Sequence, residues 1–142
     1  MLTLIPQKII LHHSASHDGP GNNTKEIRAY HNSLGWIDCG YHVLIEDVNG
    51  EYEDIIGRPW TMAGAHTIGQ NQVSLGLCFV GNFNITEPPK DQLIIGARMV
   101  SMWMAIYKIP MSEIYPHYRF EPTDCPGKKF DMGKFFDAVM LA

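Results

Sequence analysis

Cysteine is scarce in this chain. The three present, Cys39, Cys78 and Cys125, are an odd number at no framework spacing, which argues against a disulfide scaffold and for synthesis in a reducing cytoplasm. Charge is also thin: 18% of residues are charged, with 11 Lys plus Arg against 15 Asp plus Glu, a net −4. Basic residues concentrate nowhere, so the face that nucleic-acid binding needs is missing. No apolar run approaches the ~18 residues of a membrane span. Met1 to Ile10 carries Pro6 and Lys8 and lacks a small-residue cleavage site, so it reads as a first strand and not as a signal peptide. Internal repeats and low-complexity linkers are absent too. What remains is a chain of 142 residues, 45% hydrophobic, with the size and makeup of a single domain over residues 1–142.

Lys8 to His12 (KIILH) is a short β-rich run. Gly19 to Asn23 reads as a loop, with Asn23 as a helix cap and Glu26 as its capping-box partner. Ile27, Tyr30 and Leu34 then recur at helical spacing until Gly35 ends the helix. Tyr41 to Glu46 reads as a strand, and Asn49-Gly50 signals a hairpin that returns along Glu51 to Ile56. Arg58 to Gln72 has no period and reads as a loop able to line a site; Val73 to Val80 reads as a buried strand. After a turn-rich stretch, Pro89 suits a first helical turn. Asp91 to about Lys108 carries apolar residues nearly all round, which predicts a helix buried on much of its circumference. Pro110 ends it, a loop runs from Pro116 to Lys129, and a last helix begins near Asp131. This interleaving predicts an α/β domain with a mixed central β-sheet flanked by helices.

Several residues are equipped for chemistry. His12 and His13 end the first strand, where neighbours point to opposite faces, so only one can enter a given pocket. His117 and Cys125 share a Pro-flanked loop (PHYRFEPTDCPG). Two imidazoles and a thiolate would make three zinc ligands and leave a fourth position for water, the catalytic pattern. Equally, Cys125 could be a small buried residue and His117 a surface one, since the spacing matches no standard metal motif. Tyr41 is either a site residue or a core tyrosine with a wet hydroxyl. His66 and Asn71, in GAHTIGQNQVS, either bind a substrate or brace loop turns.

Taken in order, IILHHSAS, HNSLGW, CGYHVLI, GAHTIGQNQVSLGLCFVGNF and PHYRFEPTDCPG resemble the zinc amidase family that includes phage lysozyme-type amidases and animal peptidoglycan recognition proteins. Any one segment is weak; five in order, from about residue 8 to residue 127, are specific. The resemblance implies the family's fold and one Zn²⁺ held by His12, His117 and Cys125, with Tyr41 at the catalytic centre. It also implies hydrolysis of the amide between N-acetylmuramic acid and L-alanine in bacterial peptidoglycan. Two positions before the cysteine the family carries lysine or threonine; Thr123 here would donate a hydroxyl hydrogen bond to the oxyanion. His13 takes a variable position and receives no role. His66, Asn71 and Trp60 are the candidate substrate-binding residues, with His66 also a candidate proton donor to the leaving amine. Trp36 sits at a helix end, where a core role is the better reading.

The resulting expectation is a monomeric, bacteriolytic endolysin of phage or prophage origin without a separate wall-binding domain. It would be made in the cytoplasm without a signal peptide and reach the wall after holin-type release or export. A net charge of −4 offers no general attraction to an anionic wall, so binding must be site-specific. A non-catalytic peptidoglycan-binding module or a partner-binding regulator of the same fold are the alternatives; the complete set of His12, His117 and Cys125 favours the enzyme.

Overall fold

Strand β1 (Lys8–His13) is buried at every position after Lys8, on both faces, as a central parallel strand covered on both sides is. The structure, a computed structural model, describes residues 2–16 and 22–142; the loop expected over Gly19 to Gly21 lies outside the described residues. The other elements are helix α1 (Thr24–Ser33), strands β2 (Val43–Val48), β3 (Glu51–Ile56) and β4 (Ser74–Phe79), helix α2 (Lys90–Tyr107), strand β5 (Ile114–Pro116) and helix α3 (Met132–Leu141). Short 3-10 turns at Met111–Glu113 and His117–Arg119 flank β5. Among the described residues the strands form one five-stranded sheet in the order β3-β2-β4-β1-β5. β1 is parallel to both β4 and β5, β4 is parallel to β2, and only β2 and β3 are antiparallel. The expected single domain with a mixed sheet and flanking helices is therefore what the chain adopts.

Local chemistry accounts for most boundaries. Asn49 and Gly50 both take positive φ, 55° and 91°, as a tight hairpin turn requires. Asn23 caps α1, its Oδ1 accepting from the Lys25 and Glu26 N–H groups. The reciprocal half of the expected capping box does not form, because Glu26 Oε2 is buried without a partner. Strand β5 was not foreseen: three residues ending in proline carry no periodic signal, and only the neighbouring β1 makes them a strand.

One face of the sheet supplies Ile9, Leu11, Val43, Ile45, Leu75, Leu77 and Phe79 to the main core, under Val100 and Trp103 of α2 and Phe135 and Val139 of α3. The alternate positions Leu44 and Cys78 join Cys39 and Val80 in a smaller cluster against Ile27 of α1 and Tyr41. All three cysteines are free and buried. Helix α2 is buried on much of its circumference, as expected, but its outer apolar residues reach solvent. Gln92, Gly96, Met99, Val100 and Trp103 face inward, whereas Met102 and Ile106 are 40% and 54% exposed. The helix lies on one layer of sheet, so its outer apolar residues have nothing to pack under. The buried Gln92 amide donates to the Ile45 and Val80 carbonyls at 3.0 and 2.9 Å, tying α2 to the middle of β2 and to the residue that follows β4.

Gly96 lets α2 approach the sheet this closely. A Cβ there would lie 2.4 Å from the Phe79 ring, which is itself held by Phe130 and Phe135. Alanine gains up to ~1 kcal/mol over glycine in an open helix, but overpacking a core costs ~1–3 kcal/mol. Here the steric term should win. Gly96→Ala is expected to lower the urea midpoint with an unchanged slope, corresponding to a net loss of about 1–2 kcal/mol.

Candidate metal centre

The pairing of β1 with β5 sets Leu11 opposite Pro116. The next residues, His12 and His117, therefore emerge side by side at the carboxyl ends of adjacent parallel strands, where open α/β sheets place their ligand sites. Their ring centroids are 4.5 Å apart. Cys125 returns to this point because the Tyr118 N–H donates to the Cys125 carbonyl at 3.0 Å, folding the intervening loop back on itself. Its Sγ accepts from the His13 N–H at 3.3 Å and lies 3.7 Å from His12 Nδ1. One ligand atom from each of His12, His117 and Cys125 falls within 4.8 Å of the others.

The ring nitrogens that face away from this point are engaged. His117 Nε2 hydrogen-bonds the Glu121 carboxylate, and His12 Nε2 meets His66 Nδ1 at 2.9 Å. His117 Nδ1, by contrast, is buried without a partner. An unpartnered buried acceptor carries a desolvation cost of ~1–3 kcal/mol, which a bound cation would remove. Two imidazole nitrogens and one sulfur, with room for a fourth ligand, fit zinc.

Electrostatics agree with neutral, metal-ready ligands. Burial, reinforced by His66 and His117, holds His12 well below the ordinary histidine value, so its ring keeps a lone pair. Burial pushes the Cys125 thiol up to about 12 despite the His13 N–H, so a cation must displace its proton on binding. For Glu121, burial acts to raise the carboxyl, but the His117 hydrogen bond and the Ile68 N–H outweigh it and hold it below its usual range. That Ile68 contact, at 3.2 Å, also ties the 64–73 loop to the 117–129 loop.

Tyr41 packs its ring 5.2 Å from that of His12. Burial keeps its phenol protonated by raising its pKa well above the ordinary value, which makes it a donor and not a base. Thr123 Oγ1 accepts the Cys125 N–H at 3.2 Å.

A model of the family described as N-acetylmuramoyl-L-alanine amidase matches residues 3–128. The chain belongs to the N-acetylmuramoyl-L-alanine amidase family. Peptidoglycan-recognition protein SC2 of Drosophila simulans is 37% identical over 105 residues, 72% of this chain but 55% of that protein. The chain thus spans about half the length of those curated relatives. The endolysin of Escherichia phage T7 is 28% identical over 135 residues, covering 91% of this chain and 84% of that one. Among solved structures, N-acetylmuramoyl-L-alanine amidase LysC from Clostridium intestinale shares the fold with a TM-score of 0.84 at 24% identity, over 96% of this chain and 87% of that chain. Bumblebee PGRP-SA matches with a TM-score of 0.81 at 28% identity, over 94% and 83% of the two chains.

The other residues singled out in this amidase-family chain fall into two groups. His66 is buried beneath His12, and both its ring nitrogens are engaged within the protein, Nε2 with the Ser74 carbonyl at 3.3 Å. Asn71 Oδ1 accepts from the His66 and Thr67 N–H groups at 2.8 and 3.0 Å, so it braces the loop. Trp60 packs edge-to-face on Trp103 of α2, with centroids 5.6 Å apart, against the main core. Trp36 reverses its expected core role: it is 37% exposed and stacks on His31, whose ring lies beside Tyr41. His13 turns to the opposite face and accepts the Phe83 N–H. Sequence reasoning missed Glu121 and Thr67. The four-residue spacing of Glu121 from His117 was the available signal, but it carries meaning only once the 3-10 turn is known.

Burial lowers His42 to about 4 and His66 to about 3, against ~6.5 in an unfolded chain. Below pH ~6.5 the unfolded chain takes up protons that the native protein refuses, so native stability is fully present above that pH and falls as pH drops toward 4. The metal-free protein is expected to lose urea resistance between pH 7 and pH 5, with uptake of about one to two protons on unfolding. A flat profile across that window would contradict the buried neutral histidines.

Proposed function

We propose that this chain is a zinc-dependent amidase that hydrolyses the bond between N-acetylmuramic acid and L-alanine in bacterial peptidoglycan, acting as an endolysin. The observation that carries the reading is the convergence of His12, His117 and Cys125, one ligand atom of each within 4.8 Å of the others, in a chain of this family. The likeness to phage endolysins over most of its length supports that role. His12, His117 and Cys125 would hold the ion; when bound, zinc lowers the pKa of a water toward ~7 and polarises a carbonyl.

The chain's own residues supply the rest. The protonated Tyr41 phenol, beside the His12 ring, orients the attacking water or donates to the negative charge that develops on the amide oxygen. Thr123 uses its oxygen to accept the Cys125 N–H, which leaves its hydroxyl proton to donate to that same charge. Loss of such a donor typically costs ~10²–10³ in rate. His66 leaves the set of substrate contacts and proton donors, because its nitrogens are committed. Asn71 joins it as a brace of the loop. Trp36 takes over from Trp60 as the aromatic face available for sugar or peptide. No described helix is long and apolar enough to cross a membrane; action at the wall would follow holin-type release or export.

The test compares wild type, Cys125→Ser and chelator-treated protein on purified peptidoglycan. Wild type alone should clear the suspension, releasing new L-alanine amino termini and no new reducing sugar. Zinc-loaded wild type that binds several wall types without cutting them would overturn the enzyme reading and leave a recognition module.

A further inference from the structure

We propose that His66 is the positioning residue of the metal centre: a buried imidazole that holds His12 as its Nε2–H tautomer and aims the His12 Nδ1 lone pair at the ion. The inference rests on the metal reading above and extends it to the group behind the ligand.

The hydrogen bonds determine the protons in sequence. A carbonyl oxygen only accepts, so the 3.3 Å contact to Ser74 O makes His66 Nε2 the protonated nitrogen. The Ser74 hydroxyl is already committed to the Gln70 carbonyl at 2.7 Å. His66 Nδ1 therefore carries a lone pair. His12 Nε2 lies 2.9 Å away, and two lone pairs facing each other at that distance would repel, so His12 Nε2 is the donor. That leaves His12 Nδ1 unprotonated, on the side of Cys125 Sγ. The Thr67 hydroxyl, 2.9 Å from His66 Nδ1 and 3.4 Å from His12 Nε2, flanks the bond.

The His66 ring is held as a fixed part. A Cβ on Gly64 or Gly76 would come within 2.5 or 2.6 Å of its Cδ2, so both glycines are needed to admit it. Asn71 fixes its backbone, and His42 packs edge-on at 5.7 Å with its own nitrogens tied to Met62 O and the Gly76 N–H. Metal-binding histidines pass their second N–H to a carboxylate, carbonyl or water, and those partners are worth 10–100-fold in metal affinity. His117 follows that rule through Glu121. His12 instead uses a neutral ring, which sits fully buried without the desolvation cost of a carboxylate. Within the polar 64–73 loop, His66 is thereby a mount for a ligand.

The experiment measures zinc affinity by competition with a chromogenic chelator, alongside the melting temperature of each metal-free protein. His66→Phe keeps a ring in the glycine cradle and removes the acceptor; His66→Asn returns an amide oxygen near Nδ1. Affinity should fall 10–100-fold in His66→Phe and recover in His66→Asn, with metal-free melting temperatures that do not track the difference. Long-range proton–nitrogen NMR of the zinc-loaded wild type, which needs no variant to fold, should show protons on Nε2 of both His12 and His66. Unchanged zinc affinity in folded His66→Phe, or a proton on His12 Nδ1, overturns the inference even if wild type cleaves peptidoglycan. The expected affinities and tautomers in a protein that cleaves nothing would sustain it while the amidase reading falls.

Discussion

The register between β1 and β5 is the constraint on which the candidate metal site depends. Pairing Leu11 with Pro116 makes His12 and His117 neighbours although they lie 105 positions apart in the sequence. A one-residue slip of β1 would turn His12 toward the main core and bring His13 to the site. The slip is resisted because Ile9, Leu11 and Ile114 fill the same core and β4 holds the other edge of β1 in parallel register. Hydrophobic packing, which is indifferent to metals, thus decides where the candidate ligands meet.

The two candidate histidine ligands are supported in different ways, and burial accounts for the difference. His117 lies nearer solvent, and the hydrogen bonds that Glu121 accepts from His117 and the Ile68 N–H outweigh its desolvation and keep its charge. His12 is 1% exposed, and the group behind it is an uncharged imidazole held between two glycines. The same burial keeps the Cys125 sulfur protonated until a cation arrives. A metal ion bound at this site would therefore be taken up with release of a proton.

On the open side, Tyr41, His31 and Trp36 form a run of aromatic rings that starts beside His12 and ends at solvent. Helix α1 and the glycine turn after it carry the outer part of this run, and the Gly40 N–H to His31 Nδ1 bond anchors it. Gly40 has no side chain because a Cβ there would meet the Ala65 carbonyl at 2.2 Å. The segment bearing Tyr41 and the segment bearing His66 are consequently locked together.

Features settled by neighbours in the chain were legible in the sequence. The Asn49-Gly50 turn, the Asn23 cap and the start of the last helix at Asp131 follow from backbone conformation and short-range hydrogen bonds, which depend on residue type alone. The three candidate ligands were also legible, as residues of the right chemistry in ordered motifs. Their convergence, strand β5, and the separate placements of His66, Trp60 and Trp36 were decided by the tertiary structure. Burial and hydrogen-bond partnership come from segments distant in sequence: His66 is buried and engaged because Gly76 and Ser74 of β4 lie against it, and Trp60 is a packing residue because Trp103 of α2 meets it. Composition and spacing determine which residues are able to bind a metal; only the packing of the sheet and its loops decides which nitrogen of each ring faces it.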